Sequence, residues 1–132
     1  MSMTDPISDL LTRIRNAQIA KHDRLDVPIS KLKLEVVKLL KEQGFIKNFR
    51  QIEAQPVGTL RVFLRYNQDG IPAISHLRRI SKPGRRVYRG ADEILPIRNG
   101  MGLGIFSTSK GLLTDSQARD ARIGGELLCE VW

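Results

Sequence analysis

The chain changes character at Asn67-Gln68-Asp69-Gly70, a run of turn formers with no apolar residue among them. Before it, apolar residues recur at the helical period in two stretches and alternate in others; after it, short extended runs are separated by proline and glycine. At 132 residues the chain suffices for one domain of ordinary size or two small ones sharing an interface. The switch of period places a division at the turn and predicts an N-terminal domain over residues 1–66 and a C-terminal domain over 67–132.

The first half opens with a well-signalled helix. Asp5 suits the cap and Pro6 the first helical position, and Ile7, Leu10, Leu11, Ile14 and Gln18 share one face. Arg13 points the other way and Arg15 sits on the flank; both fit a solvated helix surface as well as a polyanion contact. Leu25, Val27 and Ile29 then alternate with Asp26 and Pro28, the proline arguing for an edge strand. Ser30 caps a second helix with the stripe Leu32, Val36, Leu39 and Leu40, closed by Gly44. Lys31, Lys33, Lys38 and Lys41 decorate its solvated surface, while Ser30 and Lys31 also suit a phosphate held on free backbone N–H groups. Residues 45–52 and 59–66 read as strands joined through Pro56, Val57 and Gly58. The order helix, strand, helix, strand, strand predicts two helices layered on a short sheet.

The second half reads as β-rich. From Arg78 to Arg89 there are six basic residues and no acid, centred on the turn Lys82-Pro83-Gly84-Arg85. Arg86 follows the turn, and Tyr88 offers an aromatic face beside the charge; a charge run commonly forms only a solvated face, but this pairing on a turn better suits backbone contact and stacking with a polyanion. A helical turn is expected near Asp92. A strand through Ile105 and Phe106 follows the glycines 100, 102 and 104, leads into Ser107-Thr108-Ser109-Lys110-Gly111, and is succeeded by a short helix that Thr114 and Gln117 cap. Gly124 and Gly125 turn the chain into a last strand from Glu126 to Val131. The fold class expected is α+β, a small α/β domain packed on a β-rich domain with one short helix.

Charge narrows the partners. The chain carries 22 Lys and Arg against 14 Asp and Glu, a net +8, which favours a polyanion through counterion release. A 41% hydrophobic content still allows a core, so this is not a disordered basic tail. One cysteine and two histidines supply neither a disulfide nor a metal-ligand cluster, so no cofactor or metal is expected and a reducing cytosolic setting is. No apolar run nears the roughly 20 residues that cross a bilayer, and no membrane partner is expected.

Two catalytic motifs fail on spacing, and a third, the enzyme-class alternative, lacks its companion elements. Gly100-x-Gly102-x-Gly104 lacks the dinucleotide pattern and leads into a strand rather than a helix; Lys110 is followed by Gly111 where a phosphate loop needs Ser or Thr. Ser107-x-x-Lys110 spells the S-x-x-K of acyl-enzyme nucleophiles, but the companion S-D-N and K-T-G elements are missing. Read as a binding loop, Ser107, Thr108 and Ser109 match ribose hydroxyls, base edges or phosphate oxygens, and Lys110 supplies charge. Glu126 can accept from base amino groups or ribose hydroxyls; a salt bridge to Arg119 or Arg122 explains it equally.

Taken together, Ser107-Thr108-Ser109-Lys110-Gly111, Thr114-Asp115, Ala118-Arg119 and Gly124-Gly125-Glu126-Leu127-x-Cys129-x-Val131-Trp132 closely resemble ribosomal protein S-eight of the bacterial small-subunit type. So do Asp5-Pro6-Ile7 with residues 11–16, and Ser81-Lys82-Pro83-Gly84 with Arg86-Val87-Tyr88. The resemblance implies binding to a helix in the central domain of small-subunit ribosomal RNA during early assembly, contacts with neighbouring small-subunit proteins, and, in some members, repression of the protein's own messenger RNA. It implies main RNA contacts at Ser107, Thr108, Ser109 and Lys110, supported by Tyr88 and Glu126. Ser30, Lys31, Asp5, Pro6, Arg13, Arg15, Lys82, Arg85 and Arg86 would track the backbone. The chain is expected to be cytoplasmic on the ribosome, or on an organellar ribosome, and monomeric when free. A general nucleic-acid chaperone is the alternative binding reading. Gly104 and Phe106 stand where the family more often has alanine and an aliphatic residue, and Gly104 is expected to loosen its strand.

Overall fold

The computed structural model describes residues 5–53 and 58–132, an α+β fold with two antiparallel sheets. The expected connection at Pro56 and Val57 lies outside the described residues. Contacts divide the chain into Pro6–Ser75 and a second unit that joins Asp5 to His76–Trp132.

In the first unit, α1 (Pro6–Ile19) buries Ile7, Leu10, Leu11, Ile14 and Ala17, the spacing that gives a helix one apolar face. β1 (Arg24–Pro28) is followed by α2 (Lys31–Glu42), β2 (Ile46–Ile52) and β3 (Thr59–Leu64), and the sheet order is β1-β3-β2. Central β3 alternates as its sequence requires: Leu60, Val62 and Leu64 are buried, and Thr59, Arg61 and Phe63 take the other face. β1 is an edge, which tolerates Pro28.

Beyond β3, the Asn67 carboxamide oxygen accepts from the N–H groups of Asp69 and Ile71 at 2.8 and 3.0 Å, so the turn is made as its composition dictates. The chain then folds back: Ala73 N–H donates to the Arg65 carbonyl at 2.9 Å, and the Gln18 side chain donates to the Ile74 carbonyl at 3.1 Å. Those bonds keep residues 67–75 with the first unit, and the contacts divide after Ser75.

Lys33 corrects the expectation of a solvated lysine. It is 6% exposed, and its Nζ donates to Asp9 Oδ2 at 3.2 Å and to the Pro28 carbonyl at 3.1 Å. The four methylenes join the apolar stripe while the ammonium is satisfied by a carboxylate and a carbonyl. Leu32, expected in the core, is half-buried.

The second unit holds β4 (Leu77–Arg79), β5 (Tyr88–Arg89), β6 (Leu103–Thr108), β7 (Gly111–Thr114), α3 (Asp115–Ala121) and β8 (Gly125–Val131). The sheet runs β4-β8-β6-β7, with β5 also pairing to β8. A 3-10 turn at Ala91–Glu93 stands where a helical turn was expected. α3 begins with the predicted capping box: Thr114 Oγ1 accepts from Gln117 N–H at 3.1 Å, and the Gln117 side chain accepts from Thr114 N–H at 3.0 Å. Phe106, Leu127, Ala118 and Ile94 form a buried cluster beneath the sheet.

Candidate nucleic-acid interface

Strand register builds the centre of the site. Ser107 on β6 pairs with Glu126 on β8, and Glu126 pairs with Tyr88 on β5. Directly opposed residues project to the same face, so a hydroxyl, a carboxylate and an aromatic ring form one row across three strands. Tyr88 is 65% exposed. The row depends on Gly125: a Cβ there would run into the Ser107 carbonyl oxygen and the Thr108 methyl, so only glycine lets β8 begin this close to β6.

At one end of the row β6 turns into β7 through Ser109 and Lys110. Thr108 pairs with Gly111, whose φ of +95° closes the two-residue turn. Thr108 Oγ1 donates to the Gly111 carbonyl at 2.8 Å and accepts from Lys110 N–H at 3.1 Å. Its hydroxyl therefore shapes the turn, whereas Ser107 and Ser109 spend no hydroxyl on any described residue. Ser109 and Lys110 are exposed at the tip.

The basic turn is held by a polar knot that the sequence did not reveal. Lys82 and Arg85 exchange two backbone hydrogen bonds at 3.0 and 2.9 Å, presenting Pro83 and Gly84 at the tip. Beneath them Ser81, 0% exposed, donates its hydroxyl to Glu126 Oε2 and accepts from Val87 N–H at 3.1 Å. Arg86 donates to the same carboxylate oxygen at 3.0 Å. Glu126 thus has a salt bridge, but with Arg86; of the partners expected from spacing, Arg119 pairs with Asp115 at 3.0 Å and Arg122 ends α3 in a left-handed conformation. Both bonds fall on Oε2, and among the described residues no donor reaches Oε1. The one free oxygen of a carboxylate fixed in this way can still accept from a ligand.

The six-residue basic cluster is thinner than its sequence. Arg79 turns inward, pairing with Asp5 at 3.1 Å and donating to the Leu128 carbonyl, which leaves the Arg79 and Asp5 side chains only 10% and 17% exposed. Lys82 and Arg85 remain exposed.

The other expected contacts lie in the Pro6–Ser75 unit. Ser30 Oγ caps α2 by accepting from Lys33 N–H at 3.2 Å, and Lys31 is exposed at the first position. Pro6 begins α1, and Arg13 pairs with Asp9 at 3.0 Å, with Arg15 exposed two residues on. Burial raises the Asp9 pKa, but the hydrogen bonds and charges of Arg13 and Lys33 outweigh it and hold the carboxyl below its ordinary value.

Nothing in this geometry resembles an acyl-enzyme site. Lys110 lies exposed, without the desolvation that would make it a base for Ser107. Complete burial pushes the Cys129 thiol up to about 12, which makes it inert.

The model of the ribosomal protein S8 family matches residues 5–132. The small ribosomal subunit protein uS8 of Geobacter sulfurreducens is 54% identical over the full length of both chains, as is that of Geobacter metallireducens. The uS8 protein of Syntrophotalea carbinolica is 52% identical over the same span. With a family match from Asp5 to the last residue and full-length relatives above half identity, the chain belongs to the ribosomal protein S8 family of the small ribosomal subunit.

Proposed function

We propose that this chain is a structural RNA-binding protein that recognises a helix in the central domain of small-subunit ribosomal RNA and supports early assembly of the subunit. The observation that carries the proposal is the Ser107, Glu126 and Tyr88 row, closed at one end by the Ser109-Lys110 tip. Ser107, Ser109 and the free oxygen of Glu126 read base and ribose groups of a distorted, partly unpaired helix, and Tyr88 stacks. Lys110, Lys82 and Arg85 contact phosphates and set the register. Ser30, Lys31, Arg13 and Arg15 contribute backbone contacts from the first unit. The family resemblance extends the proposal to neighbouring small-subunit proteins and to the protein's own messenger RNA.

Filter binding against fragments of the central domain tests this. The expected result is tight binding to one helical fragment, with an unrelated duplex bound far more weakly. Equal micromolar binding to both overturns it and leaves a charge-driven nucleic-acid chaperone.

A further inference from the structure

The sheet of the first unit has a face that its helices do not cover. On β3, Phe63 is half-buried on that face; it lies opposite Arg24 of β1 on one side and Asn48 of β2 on the other. The Arg50 guanidinium sits 5.8 Å from the centre of the Phe63 ring, a stacking arrangement that a planar base could share or replace. Arg61 is neutralised on the same face by Asp26, through bonds of 2.9 and 3.1 Å.

Around the Phe63 end of the sheet opens a cavity of about 1360 Å³. Its lining includes Lys21, Arg24, Lys41, Lys47 and Arg65, with Asp23 the only carboxylate among the lining residues. Three of these cations are already engaged: Lys21 donates to the Gly70 carbonyl at 2.9 Å, Arg65 to the Gly44 carbonyl at 3.3 Å, and Lys41 lies 5.5 Å from the Phe49 ring. Arg24 and Lys47 hold no hydrogen bond or salt bridge with any described residue, although the charge of Arg24 acts on the Asp26 carboxylate two residues on. Tyr66 also lines the cavity, its hydroxyl donating to the His22 carbonyl at 2.6 Å.

We propose that this face is a second RNA-binding surface, which holds an unpaired strand with a base on Phe63 and phosphates on Arg24 and Lys47. The composition selects the occupant. Cations alone would suit any polyanion, but aromatic rings set among them on an open sheet match the alternating planar bases and phosphates of a single strand. An acidic protein would gain from the charges and nothing from Phe63. The inference rests on the RNA-binding role proposed above, but uses none of the residues assigned there.

The test is an amide NMR titration of the full chain with a short unpaired oligouridylate, with affinity followed against salt. Shifts are expected at residues 21–24, 46–50 and 61–66. Arg24→Gln combined with Lys47→Gln should lower the salt slope by about 1.4, two phosphates at the single-strand value of about 0.7 each. Phe63→Leu, which keeps an apolar side chain on the strand, should weaken binding without changing that slope. Shifts confined to residues 107–110, or equal shifts from polyglutamate, would overturn the proposal. Filter binding of the helical ribosomal fragment serves as the control: if that binding persists while the oligouridylate fails, only the second surface is refuted. Failure of the fragment itself would refute the primary role.

Discussion

Each unit contains a polar knot beneath a segment expected to touch RNA, and the two are built in opposite ways. In the first, a buried cation, Lys33, ties Asp9 to the Pro28 carbonyl and so fixes the approach to Ser30 and Lys31. In the second, a buried hydroxyl, Ser81, ties Glu126 to the Val87 amide and fixes the basic turn. The first buries its cation and leaves its carboxylate 42% exposed; the second does the reverse, with the Glu126 carboxylate 18% exposed and the Arg86 side chain 47% exposed. A buried charge makes its knot matter for stability, whereas the hydroxyl knot leaves a carboxylate oxygen available to a ligand. The first is therefore read as scaffold, and the second as scaffold that is also part of the interface.

The largest expected effect comes from breaking the first knot. Asp9→Ala leaves the Lys33 ammonium with a carbonyl alone and should destabilise the protein by about 2 kcal/mol, below the range of about 3 to 5 for fully buried pairs because Asp9 is partly solvated. Urea unfolding measures it. Because the Asp9 pKa is lowered on folding, its contribution is fully present above the ordinary carboxylate value and is lost as pH falls through the folded value. Wild-type stability should drop in that acid window, and Asp9→Asn should flatten this part of the profile.

Breaking the second knot should cost less stability and more function. Ser81→Ala orphans the Val87 N–H and removes one donor from Glu126, which amounts to about 1 to 2 kcal/mol. RNA affinity should fall along with it, because the basic turn and the Glu126 oxygen lose their common anchor. A variant with lower stability but unchanged affinity and specificity would place Glu126 outside the interface.

At the tip, the contrast between positioning and reading becomes measurable. Lys110→Ala should weaken binding to all RNAs and reduce the salt slope by about one unit. Ser109→Ala should reduce preference for the cognate fragment and leave the slope unchanged. Identical slope changes in the two variants would erase the distinction.

Much of this architecture was legible because it rests on short-range rules. The alternation of β3, the capping box at Thr114 and the edge placement of Pro28 each follow from residues within a few positions of one another. The loop of residues 107–111 was legible for the same reason, although its middle hydroxyl proved structural. What was not legible depends on long-range partners. Lys33 looks like any surface lysine until Asp9 and Pro28 are brought to it, and Arg79 looks like part of a basic run until it meets Asp5. Glu126 invited pairing with arginines near it in sequence, while strand pairing delivered Arg86. The sheet face around Phe63 escaped notice because its residues come from three separate strands.

The smallest expected effect concerns the strand that feeds the tip. Gly104 reads as a weak point, since glycine in a strand costs roughly 0.5 to 1 kcal/mol relative to alanine. The structure shows what occupies the space: a Cβ there would lie 3.3 Å from the Phe106 ring and 3.4 Å from both Asp115 Cβ and Ile97 Cγ1. The large ring at 106 and the missing methyl at 104 are thus complementary, with the Gly104 N–H further held by Asp115 Oδ1 at 3.0 Å. Gly104→Ala should therefore be near neutral, its entropic gain offset by crowding against Phe106. In a Phe106→Leu background the crowding is relieved, and the same alanine should become stabilising, giving a coupling of about 0.5 to 1 kcal/mol in a double-mutant cycle. Strict additivity would mean that the two positions do not share this space.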